Sequence, residues 1–463
     1  MHETSADNPA GRSGLNACLL KSAAVGALGG LLFGFDTAVI AGAIEALTKL
    51  YDLRADPTGF ILTANSQGFT MAIAVIGTVF GALLSGIPGE RYGARECLKV
   101  LGIFFLLSSI GCALTWNWPV LLVSRFLGGV GIGGVSVLAP VYIAEISPAR
   151  WRGRLVGLFQ FSIVFGILVA YLSNYLVDLT NPGDLEWRIK LGMGVVPAAL
   201  FFFLLFGIPR SPRWLVKKGN VPEAREVLTS TGEENIEREL QDIQASLEAE
   251  EGVTGTPLFT RKHLFPIYLA VSIAMFNQFT GINGLLYYLS SIFTQAGFSQ
   301  VSGDIQSVVI GGTNLLFTML AMSIIDKVGR RLLLLVGSVG TAICLSGVSW
   351  IFFTNQHQEF LIWLLIGYIA FFAFSQGAVI WVYISEVFPT SVRSKGQSLG
   401  CFTHWFICAL ITFLFPMFAK ASGGYPFCFF AAMMVVQFFV VLFTYPETKG
   451  ATLEDIQKRL TTR

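Results

Sequence analysis

Charge is scarce in this sequence. The chain has 463 residues, of which 13% are charged, whereas soluble globular proteins usually carry about 25%. Hydrophobic residues make up 54%, and the mean hydropathy is +0.65. This composition excludes an ordinary soluble domain and indicates a membrane protein with many spans. The formal net charge of +2 gives no sign of nucleic-acid binding.

The sequence also has few groups that could hold a metal or a nucleotide. It contains 4 histidines and 7 cysteines, and no cysteine pair has metal-ligand spacing. Gly129, Gly131 and Gly134 match G-x-G-x-x-G, but the motif lies inside an apolar run rather than between a strand and a helix. That position favours close helix packing over dinucleotide binding. We therefore predict no metal, no cofactor and no enzymatic activity.

Apolar segments long enough to cross a bilayer recur along the chain and predict an all-α membrane protein with twelve transmembrane helices. The segments begin near residues 20, 62, 98, 119, 154 and 189, and near 264, 304, 331, 360, 395 and 425. ERYGARE (90–96) matches DKVGRRL (326–332), and AEISPARWRGR (144–154) matches SEVFPTSVRSKG (385–396). These repeats predict two pseudo-symmetric six-helix bundles with a substrate site between them.

The polar segments complete this organisation. Short connections on one side of the predicted membrane are rich in Lys and Arg, and those on the other side are nearly free of them, so we expect both termini in the cytoplasm of a multi-pass cell-membrane protein. The predicted units are a disordered tail (1–16), an N-terminal bundle (17–209), an intracellular helical linker (210–262), a C-terminal bundle (263–446) and a cytoplasmic tail (447–463).

Two opposite charges lie deep in the N-terminal bundle. Asp36 is the single charged residue between Ala23 and Ile44, and Arg125 is the single one between Val100 and Ala144. Charged groups at the centre of a membrane helix are costly and are usually functional. The pair is either a static link between two helices or a proton site whose carboxylate alternates between Arg125 and water.

Neutral amides and aromatic rings mark the C-terminal bundle. FNQFTGINGLLYY (276–288) brings several of them together around Gly281, where the helix is weakened. Amides donate and accept hydrogen bonds, which suits a ligand with many hydroxyl groups, although interhelical bonding would use the same groups. The candidates are Asn277, Gln278, Asn283 and Tyr287, with Gln160, Asn314 and Gln376 elsewhere, Trp381 and Trp405 as flat apolar faces, and His404 as either a site or a packing residue.

Together these motifs resemble the sugar porter family of the major facilitator superfamily over roughly residues 20–455. GGLLFGFDTAVIAG, SRFLGGVGIG, PVYIAEISPARWRG, PRSPRWL, NQFTGIN, DKVGRR, SEVFPTSVRSKG and PETKG carry the resemblance. It implies that Asp36 takes a proton and works with Arg125. It implies sugar contacts from Gln160, Gln278, Asn283, Asn314 and Trp381, with Tyr287, Gly377 and Trp405 nearby.

The resemblance also implies cytoplasmic ion pairs that hold the outward-facing state. Their positions are Glu90, Arg95, Glu145, Arg152, Asp326, Arg330, Arg331, Glu386 and Arg393. The family's proline after Gly377 is Ala378 here, which removes the usual cause of a kink in that helix.

We therefore predict proton-coupled import of a monosaccharide, hexose or pentose with a glucose-like sugar favoured, by alternating access. The expected partners are the sugar, the proton and the lipid bilayer, with no nucleic acid, and the carrier is expected to be monomeric. The alternatives are a sugar uniporter with an idle Asp36, a proton-coupled polyol or inositol carrier, and a transporter-like sugar sensor.

Overall fold

The computed structural model of the chain describes residues 16–51, 66–253, 257–389 and 392–449. This part of the chain contains 12 helices long and apolar enough to cross a membrane, as predicted. Spans 1 to 6 are Ala17–Gly42, Ser66–Leu84, Ala94–Leu114, Trp118–Ile146, Ala149–Leu179 and Gly183–Gly207. Spans 7 to 12 are Arg261–Gln295, Gly303–Val328, Arg330–Thr354, Gln358–Val387, Lys395–Ala421 and Gly424–Thr444. Residues 1–15 of the tail predicted over 1–16, the start of a span near 62 and the end of the chain from 450 lie outside the described residues.

Three spans are built from two α-helices each. Span 6 contains Glu186–Gly192 and Val195–Leu204, span 7 contains Leu264–Phe279 and Ile282–Gln295, and span 10 contains Leu361–Phe374 and Gln376–Val387. Gly281 joins the helices of span 7 at φ +84°, a left-handed conformation that glycine adopts without a steric penalty. Span 10 is interrupted at Ser375 (φ −120°, ψ −89°), so the helix breaks although residue 378 is alanine.

Shorter helices lie at the ends of the spans. Ile44–Leu50 follows span 1 and Gly86–Tyr92 follows span 2, while the polar linker forms Pro212–Lys217, Val221–Ser230 and Ile236–Val253. Ser211 and Asn220 cap the first two linker helices by accepting hydrogen bonds from Trp214 N and Glu223 N. We call the end of the bundles next to the three linker helices the linker face and the opposite end the distal face.

Glycines allow the spans to pack backbone against backbone. A Cβ atom on Gly34 would lie 1.9 Å from the carbonyl oxygen of Ile163, and one on Gly129 would lie 1.9 Å from that of Ala74. Spans 1 and 5, and spans 2 and 4, are therefore in close contact at these positions. The prediction that the G-x-G-x-x-G motif serves helix packing is confirmed for Gly129.

The two halves meet along spans 1 and 7, 2 and 11, and 5 and 8. The Phe33 ring in span 1 lies 5.5 Å from the Trp405 ring in span 11. Nearer the distal face, the Tyr171 hydroxyl in span 5 donates to the carbonyl oxygen of Leu286 in span 7 at 2.8 Å. The N-terminal half thus contacts the second helix of span 7 directly.

Candidate functional site

The two deep charges form an ion pair between spans 1 and 4. Arg125 Nη1 donates to Asp36 Oδ1 at 2.9 Å, and the side chains are 3% and 17% exposed, respectively. Among the described residues, Asp36 Oδ2 and Arg125 Nε have no hydrogen-bond partner although both atoms are buried. The free oxygen of Asp36 can therefore accept a proton without first losing a donor.

Gln278 is the centre of a polar cluster in the C-terminal half. Its Nε2 donates to Asn277 Oδ1 at 3.1 Å, and its Oε1 accepts from Asn283 Nδ2 at 2.9 Å. The same Nε2 lies 3.2 Å from His404 Nε2. Because each amide both donates and accepts, these groups satisfy one another here and could exchange their bonds for those of a hydroxylated ligand.

Aromatic rings border the amide cluster. The Trp381 ring lies 4.9 Å from the His404 ring, which lies 4.8 Å from the Trp405 ring. Trp381 is 37% exposed, whereas His404 and Trp405 are 7% and 5% exposed. His404 thus packs between two tryptophans and also faces Gln278, so both roles considered for it from the sequence fit its position.

Tyr287 lies between the ion pair and the amide cluster. Its phenol is within hydrogen-bonding reach of Thr37, the residue after Asp36, and both Asp36 and Arg125 act on it electrostatically. Tyr287 belongs to the same short helix as Asn283, which bonds to Gln278. The two groups of candidate residues are therefore connected through one helix of span 7.

Three other predicted contacts lie outside this hydrogen-bonded cluster. Gln160 is half-buried in span 5, and Gly377 is half-buried in span 10. Asn314 is buried in span 8, where its Oδ1 accepts from Thr318 at 3.4 Å. The hydrogen bonds of the described residues do not join Gln160 or Asn314 to Gln278.

The predicted ion-pair residues cluster at the linker face. Arg330 Nη2 lies 2.9 Å from Asp326 Oδ1 and 2.9 Å from Glu386 Oε1, which links spans 8, 9 and 10 within one half. The remaining positions contact their own half or the linker: Glu90 with Lys217, Arg95 with Glu96, Glu145 with Ser211, Arg152 with Glu239 and Arg331 with the carbonyl oxygen of Leu442. Arg393 begins the helix of span 11.

Residues 22–460 match the sequence family described as sugar (and other) transporter. The chain belongs to this family. It is 33% identical to the D-xylose-proton symporter of Escherichia coli (strain K12), over 94% of each chain. It is 35% identical to the arabinose-proton symporter of Bacillus subtilis (strain 168), over 95% of this chain and 94% of that protein.

Solved structures of a family member agree with the fold. The TM-score is 0.83 with the inward-open conformation of the E. coli xylose transporter, at 32% identity over 95% of this chain and 99% of that one. It is 0.78 with the proton:xylose symporter of this superfamily bound to 6-bromo-6-deoxy-D-glucose, at 31% identity over 96% and 99%. These likenesses confirm the predicted twelve-helix architecture.

Sequence reasoning missed two groups of buried polar residues. Gln437 in span 12 is 0% exposed and its Oε1 accepts from Gln376 Nε2 at 2.5 Å, while the Gln376 carbonyl accepts from Asn277. Lys190 in span 6 is 0% exposed and lies among carboxylates of spans 5, 6 and 8. Gln437 is the polar residue in the apolar run MMVVQFFVV (433–441), the kind of signal that singled out Asp36 and Arg125, whereas Lys190 follows Asp184, Glu186 and Arg188 and does not differ from these charged neighbours in sequence.

Proposed function

We propose that this sugar transporter imports a monosaccharide together with a proton across a cell membrane by alternating access. The observation that carries the proposal is the ion pair between half-buried Asp36 and buried Arg125, which is connected through one short helix of span 7 to a cluster of neutral amides. A carboxylate in a membrane span suits proton binding, and uncharged amides beside aromatic faces suit a sugar. The hydrogen bonds of this amide cluster in the described part of the chain involve no lysine or arginine, which argues against a phosphorylated substrate.

The proton step follows from the pairing of Asp36. In this structure the Asp36 carboxylate accepts a hydrogen bond from Arg125, and the positive charge of Arg125 stabilises the ionised form of Asp36. Protonation removes the negative charge and weakens this attraction. Asp36 is therefore expected to be protonated when the site opens on the distal face and to lose the proton towards the linker face.

Sugar binding is assigned to the amide cluster and its rings. Gln278 and Asn283 lie on the two helices of span 7, on either side of Gly281. When sugar hydroxyls replace the hydrogen bond between Gln278 and Asn283, the orientation of the second helix would depend on whether sugar is bound. Through Tyr287 that helix also approaches Thr37 and the ion pair, which supports coupling of sugar to proton.

The same proposal orients the molecule. Arg150, Lys217 and Arg330 lie at the linker face, and cytoplasmic connections carry the excess of such residues. The linker face is therefore taken as cytoplasmic and the distal face as extracellular, with a monomer as the transporting unit. Relatives named for xylose and arabinose support pentoses as substrates. We also propose that the protein prefers a glucose-like sugar.

The test is uptake of labelled xylose, arabinose and glucose into proteoliposomes, with and without an inward proton gradient. We expect accumulation above the external concentration that a protonophore abolishes. Asp36→Asn should lose uphill uptake and keep sugar counterflow, because exchange requires no net proton movement. Asp184→Asn removes an exposed carboxylate at the distal face and is the matched control.

Uphill uptake that persists in Asp36→Asn would overturn the proton assignment. Wild-type rates that do not change with the gradient would make the protein a uniporter with Asp36 as half of a structural pair. Uptake of inositol but of none of the three sugars would move the substrate class to polyols.

A further inference from the structure

We propose that Lys190, Asp178 and Asp304 form an ionic lock that closes the distal face between the two halves and opens once in every transport cycle. Lys190 belongs to span 6 and Asp178 to span 5, whereas Asp304 belongs to span 8 of the other half. All three residues are buried, at 0%, 5% and 2% exposure. The inference rests on alternating access as proposed above, and it assigns Lys190 as a positioning residue for the closed distal face.

Lys190 is held mainly by its own half. Its ammonium contacts Asp178 Oδ1, lies 2.8 Å from Glu186 Oε1 and donates to the carbonyl oxygen of Gly42 at 3.1 Å. These contacts come from spans 5, 6 and 1. The positive charge is therefore already in place on the N-terminal side of the interface before the halves meet.

Asp304 supplies the contact from the other half. Its Oδ2 lies 3.7 Å from Lys190 Nζ, and its Oδ1 accepts from the Ser290 hydroxyl of span 7 at 2.7 Å. Ser290 fixes the carboxylate, so the second oxygen faces the ammonium across the interface. Separation of the halves on this face must break the Lys190–Asp304 contact, because the two side chains belong to different rigid bundles.

The geometry of the cluster suits a contact that breaks repeatedly. Asp304 Oδ2 receives no hydrogen bond from the described residues, so its attraction to Lys190 is purely electrostatic. A fully hydrogen-bonded buried pair would be much harder to open. When the lock opens, Lys190 keeps Asp178 and Glu186, and Asp304 keeps Ser290 while water reaches its free oxygen. Neither charge is left without a partner in either state.

The position of the lock complements the contacts nearby. The Tyr171–Leu286 hydrogen bond also joins the two halves towards the distal face, so the halves are in contact there at more than one position. Removing the charge of Asp304 should weaken distal closure. Removing that of Lys190 should weaken it further, because Asp178 and Asp304 would then face each other without a cation between them.

The test measures the opening of the distal face directly. Spin labels are placed on cysteines at Leu185 and Phe360, exposed residues at the distal starts of spans 6 and 10, in a background without the seven native cysteines. Double electron–electron resonance then gives the distance distribution between the halves. Asp304→Asn should raise the share of the long distance relative to the short one by roughly tenfold, and Lys190→Met should raise it by more than that. Asp304→Glu should keep the wild-type distribution.

Asp184→Asn is the matched control, since it removes an exposed carboxylate from the same face. Retention of sugar binding shows that each variant is folded. If Asp304→Asn and Lys190→Met both shift the distance distribution towards the long distance, a local defect at one of the two residues is excluded as the cause. Unchanged distances in both Asp304→Asn and Lys190→Met, with proton-driven uptake intact, would overturn the lock and leave the proposed function standing. A different result would count against alternating access itself. In that case the wild type would show no uptake, and its distance distribution would be the same with and without sugar and a proton gradient.

Discussion

Replacing Gln278 by alanine tests the sugar site most directly, because this side chain makes more contacts within the amide cluster than its neighbours do. It bonds to Asn277 and Asn283 and faces His404, and it is 1% exposed. The substitution removes one donor and one acceptor group and leaves the aromatic faces in place. We expect weaker sugar binding while the proton pair is unaffected.

The size of the effect follows from the number of hydrogen bonds. A neutral hydrogen bond contributes about 0.5–1.5 kcal/mol net, so two bonds to sugar hydroxyls contribute about 1–3 kcal/mol. In the ligand-free protein, Gln278 must give up its bonds to Asn277 and Asn283 before it binds the sugar, which places the net loss in the lower part of that range. A loss of about 1–2 kcal/mol raises the Kd by roughly 5- to 30-fold.

Isothermal titration calorimetry of the purified protein with the transported sugar measures this change. Asn174→Ala is the control: Asn174 is also a buried amide, but it donates to the carbonyl oxygen of Val39 at 3.1 Å, away from the cluster. It should lower thermal stability and leave the Kd within about twofold. A Kd for Gln278→Ala that equals the wild-type value would remove Gln278 from the site and refute the assignment of the amide cluster.

Two further predictions concern the ring faces and the helix contacts. Trp381→Ala should raise the sugar Kd about 3- to 10-fold in the same titration, and Trp381→Phe should recover part of the loss, because in the proposed site the ring beside His404 packs against the sugar. Equal affinities of the two variants would argue against stacking. Gly129→Ala should lower the melting temperature in detergent by several degrees, since its Cβ would collide with the carbonyl oxygen of Ala74. Gly312→Ala in span 8 is the control: its Cβ would meet nothing within 4 Å, so the melting temperature should not change. Similar melting temperatures for both glycine variants would contradict close packing of spans 2 and 4.

Much of the architecture is readable from the sequence because hydropathy is local. A run of apolar residues must cross the bilayer as a helix, since unpaired backbone groups are too costly in hydrocarbon. The spans predicted to start near 264, 304, 331 and 395 begin at Arg261, Gly303, Arg330 and Lys395. The break at Gly281 is equally local, because glycine adopts a positive φ without strain.

Which polar groups meet depends on contacts between distant helices. The sequence indicates that Asp36 and Arg125 are unusual and predicts that they pair, but it does not give the geometry of the pair; the fold brings their side chains to 2.9 Å. It treats Gln160 and Asn314 as equivalent to Gln278, yet the hydrogen bonds within the described part of the chain connect neither of them to the cluster of Asn277, Gln278, Asn283 and His404.

The sequence by itself determined that this protein is a twelve-span carrier with a carboxylate and a set of neutral amides inside the membrane, because each span and each polar residue within it can be recognised from a single segment of the chain. Only the tertiary structure decided that Lys190 and Asp304 lie on opposite sides of one interface. Their spans belong to different bundles, and no periodicity within either span specifies the partner. Helix–helix contact in a membrane is set by packing across the whole bundle, so pairing of this kind appears only once all the spans are in place.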